Sequence, residues 1–447
     1  MMSKEHGMIS LSIVSILLIA SLLFTLASSK QVYYQIKRAQ NTILERQAFW
    51  SAEGGLECAF TELKQKNIKP TELTFSHACS DLAPSSLLSI NSLPATGDHT
   101  EYKLISHYNN NASKEEVRKT IGYGGGGVLS TIQTSASVQL TGSNHFVPNK
   151  TEKKNADNEY ECSSIISGGT VDYIKTSTGN DEHFLTADSS VSLHAGSGFG
   201  TPSFKCQSSH MSNLFDPTNV PELYPSSLVP YKGKDIVENE SVDVFKAVFG
   251  KDISEHASIR EEIKNDTVGI VIGDITSDKT DGGWIKNCHT KVATAYNNGK
   301  RRIWIDGNCA LSGAILGTMI DPTDKEAVQL ITFDGLLYVQ GPAYFNGLLY
   351  QYVSSGINVE NGWKTLLSEG LDIGVYPLFT EEFIVSLGYT NMPFLVEGAF
   401  VLDGGIGIDA QNRDIKVNGA FVPSYNKGKV TKHSTQLKWE KGTWHDF

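Results

Sequence analysis

GMISLSIVSILLIASLLFTLASS, residues 7–29, decides how this chain is read. From Met8 to Ser29 it holds no charged residue, no proline and no further glycine. About 20 apolar residues are what a helix needs to cross a hydrocarbon layer. The flank before it, Met1 to Gly7, is short and polar, with Lys4, Glu5 and His6. The stretch after it, QVYYQIKRAQNTILERQAFWSAEGGLECAF (31–60), stays rich in helix formers, and no proline comes before Pro70. Ile36, Ala39, Ile43, Phe49 and Trp50 keep a three-to-four spacing among charges, which predicts an amphipathic continuation. One helix over residues 8–65 would be roughly 85 Å long at ~1.5 Å per residue.

Three readings compete for this run. A cleaved secretory signal has a shorter apolar core before its small-residue cleavage site, although Ala27-Ser28-Ser29 would supply the small residues. A plain signal anchor fits the length. The third reading explains the glycine on the polar side of the run. Gly7, the apolar helix, Arg38-Ala39-x-Asn41 and AFWSAEGGLE (Ala48 to Glu57) together resemble the N-terminus of PilX-type minor pilins, with their AFxAAExGL segment. The resemblance covers residues 1–60. It implies that residues 1–7 are a leader, cut between Gly7 and Met8 by a prepilin peptidase, with N-methylation at Met8. Major pilins carry a glutamate at the fifth place after the cut, where this chain has Ser12. A carboxylate in a membrane helix is costly without a partner. Its loss implies a subunit that joins poorly beneath another, and so a place near a filament tip. Ser12 and Ser15, with Ser10, are also small residues that let helices pack closely.

The rest of the chain bounds the architecture. Its 447 residues leave room for the helix and two or three packed units. A 40% hydrophobic content with 41 glycines and 14 prolines suits an ordered, β-rich protein. The net charge of −11, without basic runs interleaved with aromatics, argues against a nucleic-acid partner. Residues 66–127 form a small β region and linker. TEYKLISHY (100–108) and VRKTIGY (117–123) alternate and predict a hairpin around NNNASKEE, ahead of four glycines at 124–127.

Residues 128–426 turn β-rich with periodic glycines. Gly335, Gly341 and Gly347 are six apart, Gly307 and Gly313 repeat that spacing, and VEGAFV at Val396 recurs as VNGAFV at Val417. Short strands with glycine corners at about 20 residues per turn predict a parallel β-solenoid; an antiparallel sandwich is the alternative. SASVQLTGSNHFV and SSIISGGTVDYI read as its first coils. A proline-rich then helical insertion is expected at about 212–266, where SEHASIREEIKN suggests a capping box at Ser254. Residues 427–447 form a tail whose closing Gly442-Thr443-Trp444-His445-Asp446-Phe447 also resembles PilX-type proteins. The fold class is therefore α+β: a long N-terminal pilin-like transmembrane helix with a small sheet, then the β-solenoid with a helical insertion.

Six cysteines at 58, 79, 162, 206, 288 and 309 include no CxxC pair. Beyond a membrane anchor the compartment is oxidising, and local pairing gives Cys58–Cys79, Cys162–Cys206 and Cys288–Cys309 among fifteen connectivities. Catalytic signals are thin. Twelve histidines show no HExxH, and neither GxSxG nor a P-loop occurs. Arg301, Arg302, Asp306 and Asp334 are the residues an acidic saccharide-cleaving site would draw on. GDITSDKTDGG offers Asp274, Asp278 and Asp281 as hard oxygen ligands for calcium, without EF-hand spacing.

The chain reads as a structural and interaction protein, not an enzyme. As a type IV pilus minor subunit it would start as a single pass in the inner membrane and end at the pilus and cell surface. Its partners would be major and minor pilins, the prepilin peptidase and a surface or host ligand, and its roles assembly or adhesion. The alternatives are a type II secretion pseudopilin and a membrane-anchored solenoid enzyme acting on polysaccharide.

Overall fold

A computed structural model describes residues 5–66, 86–92, 100–110, 113–123, 128–175, 182–191, 201–221, 224–274, 282–312, 327–375, 391–431, 437–439 and 445–446, with a few isolated positions between them. The chain forms two compact units: Met1–Tyr123 with Leu437–Phe447, and Gly124–Gln436. It is α+β, with a long apolar N-terminal helix, one antiparallel sheet in the first unit and mainly parallel sheets in the second.

In the first unit, Glu5–Lys66 is a single helix of 62 residues, about 93 Å at ~1.5 Å per residue. Its buried face meets the expected one only at Phe49, which is half-buried against the sheet cluster. Ala48, Ala52, Leu56, Ala59 and Leu63 are buried, whereas Ile36, Ile43 and Trp50 are exposed. Four of these buried residues, from Ala52 to Leu63, pack on Tyr102, Leu104, Val117 and Ile121. On this face Ala52 and Ala59, which have no bulk to hold a sheet away, alternate with Leu56 and Leu63, which fill the space beside them.

The sheet there joins Ser86–Ser92, Thr100–Asn110 and Ser113–Tyr123 in antiparallel order. The predicted hairpin is present, but its turn is tighter than NNNASKEE. Pairing continues to Asn110 opposite Ser113, and His107 Nδ1 lies 3.1 Å from Glu116 across the strands. The tail returns to this sheet: Leu437–Trp439 and His445–Asp446 both pair with Ser113–Tyr123. Trp439 stacks on Phe60 of the helix at 4.5 Å and lies 5.0 Å from Lys119 Nζ. Lys119 in turn bridges Glu53 at 3.2 Å and Glu57 at 2.8 Å. Trp444 lies outside the described residues.

In the second unit most ladders run parallel, where a sandwich would run antiparallel; 183–185 with 213–215 and 149–154 with 160–163 are the antiparallel pairs among the described strands. One sheet holds, from edge to edge, the strands 171–173, 137–141, 414–418, 394–397, 337–340 and 309–312, all parallel. The strand following each of the second to fifth of these lies in a second, larger sheet: 143–146, 421–425, 400–409 and 343–352. The two ten-residue strands have different neighbours along their length. Phe400–Gly404 pairs with 421–425, and Ile406–Ile408 with 132–134. The change falls at Gly404, where a Cβ would collide with the Gly347 carbonyl oxygen of the strand alongside.

The corners between the sheets stack in the same way. VEGAF and VNGAF are two rungs of a longer series: Gly341, Gly398, Gly419 and Gly142 follow one another on adjacent strands. A Cβ at Gly142 would strike Gly419 O, and one at Gly419 would strike Gly398 O. Inside, Phe400, Phe421, Phe146 and Phe184 form a row, in turn stacked, edge-on and tilted, with centroids 5.5, 5.4 and 4.8 Å apart.

The order of stacking departs from the chain order. LTGSNHF (140–146), early in the unit, lies directly on VNGAF (417–421), near its end. Along the larger sheet the strands run 236–237, 165–167, 132–134, 406–408, 347–352, 328–333, 302–306 and 269–272. The segment 238–268 therefore joins the two ends of this row, about 34 Å apart at ~4.8 Å per strand. The expected insertion does not leave and return at one place. Its helix Val244–Phe249 buries Val244, Phe245 and Val248, with Phe249 5.1 Å from Tyr350. Its helix His256–Asn265 buries Ile259 and Ile263. Together with Trp304, Ile331 and Leu348 these side chains form one cluster on the outer surface of the strands.

Ser254 is not a cap: Asp252 accepts from the Ser254 N–H and hydroxyl. Two helices absent from the sequence reading, Cys288–Asn297 and Val359–Ile373, pack on the strands. Cys162–Cys206 and Cys288–Cys309 are disulfides. Cys58 is disulfide-bonded as well, and Cys79 lies outside the described residues.

Candidate functional site

The helix offers the first site. From Ile9 to Leu26 its large apolar side chains are exposed, Phe24 by 78%. It is the one helix among the described residues long and apolar enough to cross a membrane. Gly7 and Met8 lie within the helix. Ser12 is exposed, and Ser15 donates its hydroxyl to Leu11 O at 2.5 Å. That bond satisfies the serine within its own helix, leaving a small, neutral surface.

The acidic residues are spoken for. Asp274 sits between Arg260 at 2.5 Å and Lys264 at 3.2 Å, and the two cations hold its carboxyl below the usual range. A calcium ligand needs the opposite surroundings. Asp278 and Asp281 lie outside the described residues, and no cluster of three metal-ligating side chains occurs among those described. Asp306 accepts from Arg260 at 2.6 Å and from the Trp304 indole at 2.7 Å. Arg302 is bound to Glu262 and Asp266, and Arg301 lies over Tyr296. Asp334 accepts from the Ser354 N–H at 2.9 Å. These groups brace the connecting segment and the corners; the structure does not gather them around a reacting atom.

Sequence reasoning missed two polar features. Asp235 is fully buried and accepts from Ser164 at 2.7 Å, Thr186 at 2.5 Å and Ser212 at 2.6 Å. Burial pushes its pKa up, and the three hydroxyls offset part of the rise. The other is a cleft of about 550 Å³ within the second unit. One wall is made by stacked corners, with Ser135 and Ser137 beside Gly168 and Gly169. The 239–242 segment and the 411–414 turn supply the rest, with Asn391. Asn239 and Asn412 both take the left-handed backbone conformation, φ 56° and 59°, which asparagine tolerates better than most residues. Burial raises the Asp414 pKa; a bond from Asn391 lowers it, and Asp172 raises it again. The only sequence signal was the turn composition, QN at 411–412 and SGG at 167–169.

Comparison with family models, with curated proteins and with solved structures finds no match.

Proposed function

We propose that this chain is a minor, tip-proximal subunit of a type IV pilus, acting in assembly and in contact with a surface. The observation that carries the reading is the division of one continuous helix. Its first part exposes bulky apolar side chains, and its last part packs alanines and leucines on an antiparallel sheet. An exposed apolar rod belongs in lipid, or among other such rods, because water penalises it. The PilX-like segments Ala48–Glu57 and Gly442–Phe447 support the same reading, and Ser12 in place of an acid supports the tip. On this reading Gly7–Met8 is the processing bond, and partners pack along Ser12 and Ser15. The second unit is read as a β-solenoid whose early coils stack after its last ones. Its parallel ladders, glycine corners and inner row of phenylalanines support that reading.

The test is fractionation of the native host with and without the gene. The proposal expects the protein in sheared filaments, and fewer filaments when the gene is deleted. Normal filaments with impaired protein secretion would favour the secretion pseudopilin instead.

A further inference from the structure

We propose that the cleft between the stacked corners and the 411–414 turn binds a neutral saccharide. The proposal goes beyond the filament reading and does not depend on it.

Chemistry argues in turn against a peptide strand, an apolar ligand and a phosphate or sulfate. A peptide laid along a sheet edge needs free backbone donors, but those of the corner wall are spent. Ser137 N donates to Arg413 O, Gly168 N to Thr134 O and Asn239 N to Gly169 O, at 2.8–3.0 Å. Val242 is the only aliphatic side chain in the lining, so an apolar anchor finds no pocket. A phosphate or sulfate needs an available cation. Arg413 is the one cation among the described lining residues. It is buried, with Nη2 committed to Ser354 O at 2.9 Å and Ile357 O at 3.2 Å, and Glu240 and Asp414 add negative charge.

What the lining leaves is hydroxyls, amides and carboxylates in fixed positions. Ser135 is held by Asp409, to which its hydroxyl donates at 2.8 Å, and by the Ala410 N–H, which donates to it at 2.9 Å. Gln411, Asn412, Asn239 and Glu240 are exposed around the opening. Planar amides and carboxylates match vicinal sugar hydroxyls, which both donate and accept. Among the described lining residues, two carboxylates, an arginine held by backbone carbonyls and a single aliphatic side chain suit a polyhydroxylated ligand that carries no negative charge. The volume falls in the range of small-molecule clefts.

The test uses the full chain in a detergent without a sugar headgroup, since a maltoside would itself compete. Saturation-transfer NMR and calorimetry are run with neutral di- and tetrasaccharides built from glucose, galactose or N-acetylglucosamine. A sulfated disaccharide and an acidic peptide serve as comparators. The expected result is saturable binding of at least one neutral probe, weakened about tenfold by Gln411→Ala with Glu240→Ala. Ser241→Tyr, which fills the cleft from an exposed position, should abolish it. Circular dichroism and the thermal midpoint check that the variants stay folded. The proposal is overturned if no neutral probe binds up to about 10 mM, or if the variants leave binding unchanged. It is equally overturned if the sulfated probe or the peptide occupies the cleft in preference. None of these outcomes bears on how the N-terminus is processed, so the two readings fail separately.

Discussion

The two ends of the long helix solve opposite problems. Between Ile9 and Leu26, leucine, isoleucine and phenylalanine stand 51–78% exposed, and between Ala48 and Leu63 alanine is buried completely. Side-chain hydrophobicity alone would order these the other way. In the second stretch the sheet of Tyr102, Leu104, Val117 and Ile121 decides, and it accepts the face on which backbone can approach. In the first stretch the large side chains are left exposed, and the bulk is left for a different solvent. The contrast teaches that exposure of large apolar groups along a whole rod is a statement about surroundings, not about poor folding.

The contrast breaks most completely with a charge. Leu17→Arg should release the protein from membranes on carbonate extraction, since arginine costs about 2.5–3.5 kcal/mol at a span centre. Ile43→Arg, also on an exposed position of the same helix, should leave extraction unchanged. Next in size is Leu56→Ala, expected to cost about 2–5 kcal/mol as a cavity opens against the sheet. Denaturant unfolding followed at the neighbouring Trp439 measures it. Ile36→Ala, exposed on the same helix, should change that midpoint little.

In the second unit, replacing Cys288 and Cys309 together by serine should cost about 3 kcal/mol, because the bridge removes the closure entropy of a loop with a sequence separation of 21 from the unfolded chain. The thermal midpoint under oxidising and reducing conditions reads it. Asp235 gives a smaller, pH-dependent effect. Its folded pKa is raised, so the folded state holds the proton more tightly than the unfolded one. That contribution is present below the ordinary aspartate value of about 4 and is lost as pH rises towards the folded value. Asp235→Asn should therefore flatten the stability–pH curve over this window, while keeping a side-chain oxygen that accepts from the hydroxyls. Denaturant midpoints measured across the window provide the check; a curve parallel to the wild type would contradict the assignment.

Part of this was legible in the sequence. The uncharged run from Met8 to Ser29 needs no partner to be recognised, because length and apolarity are local. VEGAFV and VNGAFV announced stacked corners, because close approach of adjacent backbones demands glycine at one register. The packing face was not legible: Ile36, Ile43 and Trp50 signal louder than Ala52 and Ala59, and only the sheet settles which side it meets. Nor was the order of stacking, since placing LTGSNHF on VNGAF depends on contacts between positions some 280 residues apart, as for Leu140 opposite Val417. The acids at 274 and 306 looked available for the same reason. Arg260, which binds both, sits on a helix 14 and 46 residues away in the chain. The cleft was hidden because its walls come from separate turns, each of which alone resembles an ordinary polar loop.

The most direct test is mass spectrometry of the N-terminus of the native protein. The account predicts a chain beginning at N-methylated Met8 with the apolar helix retained. An intact Met1, or a chain that begins after Ser29, would contradict it.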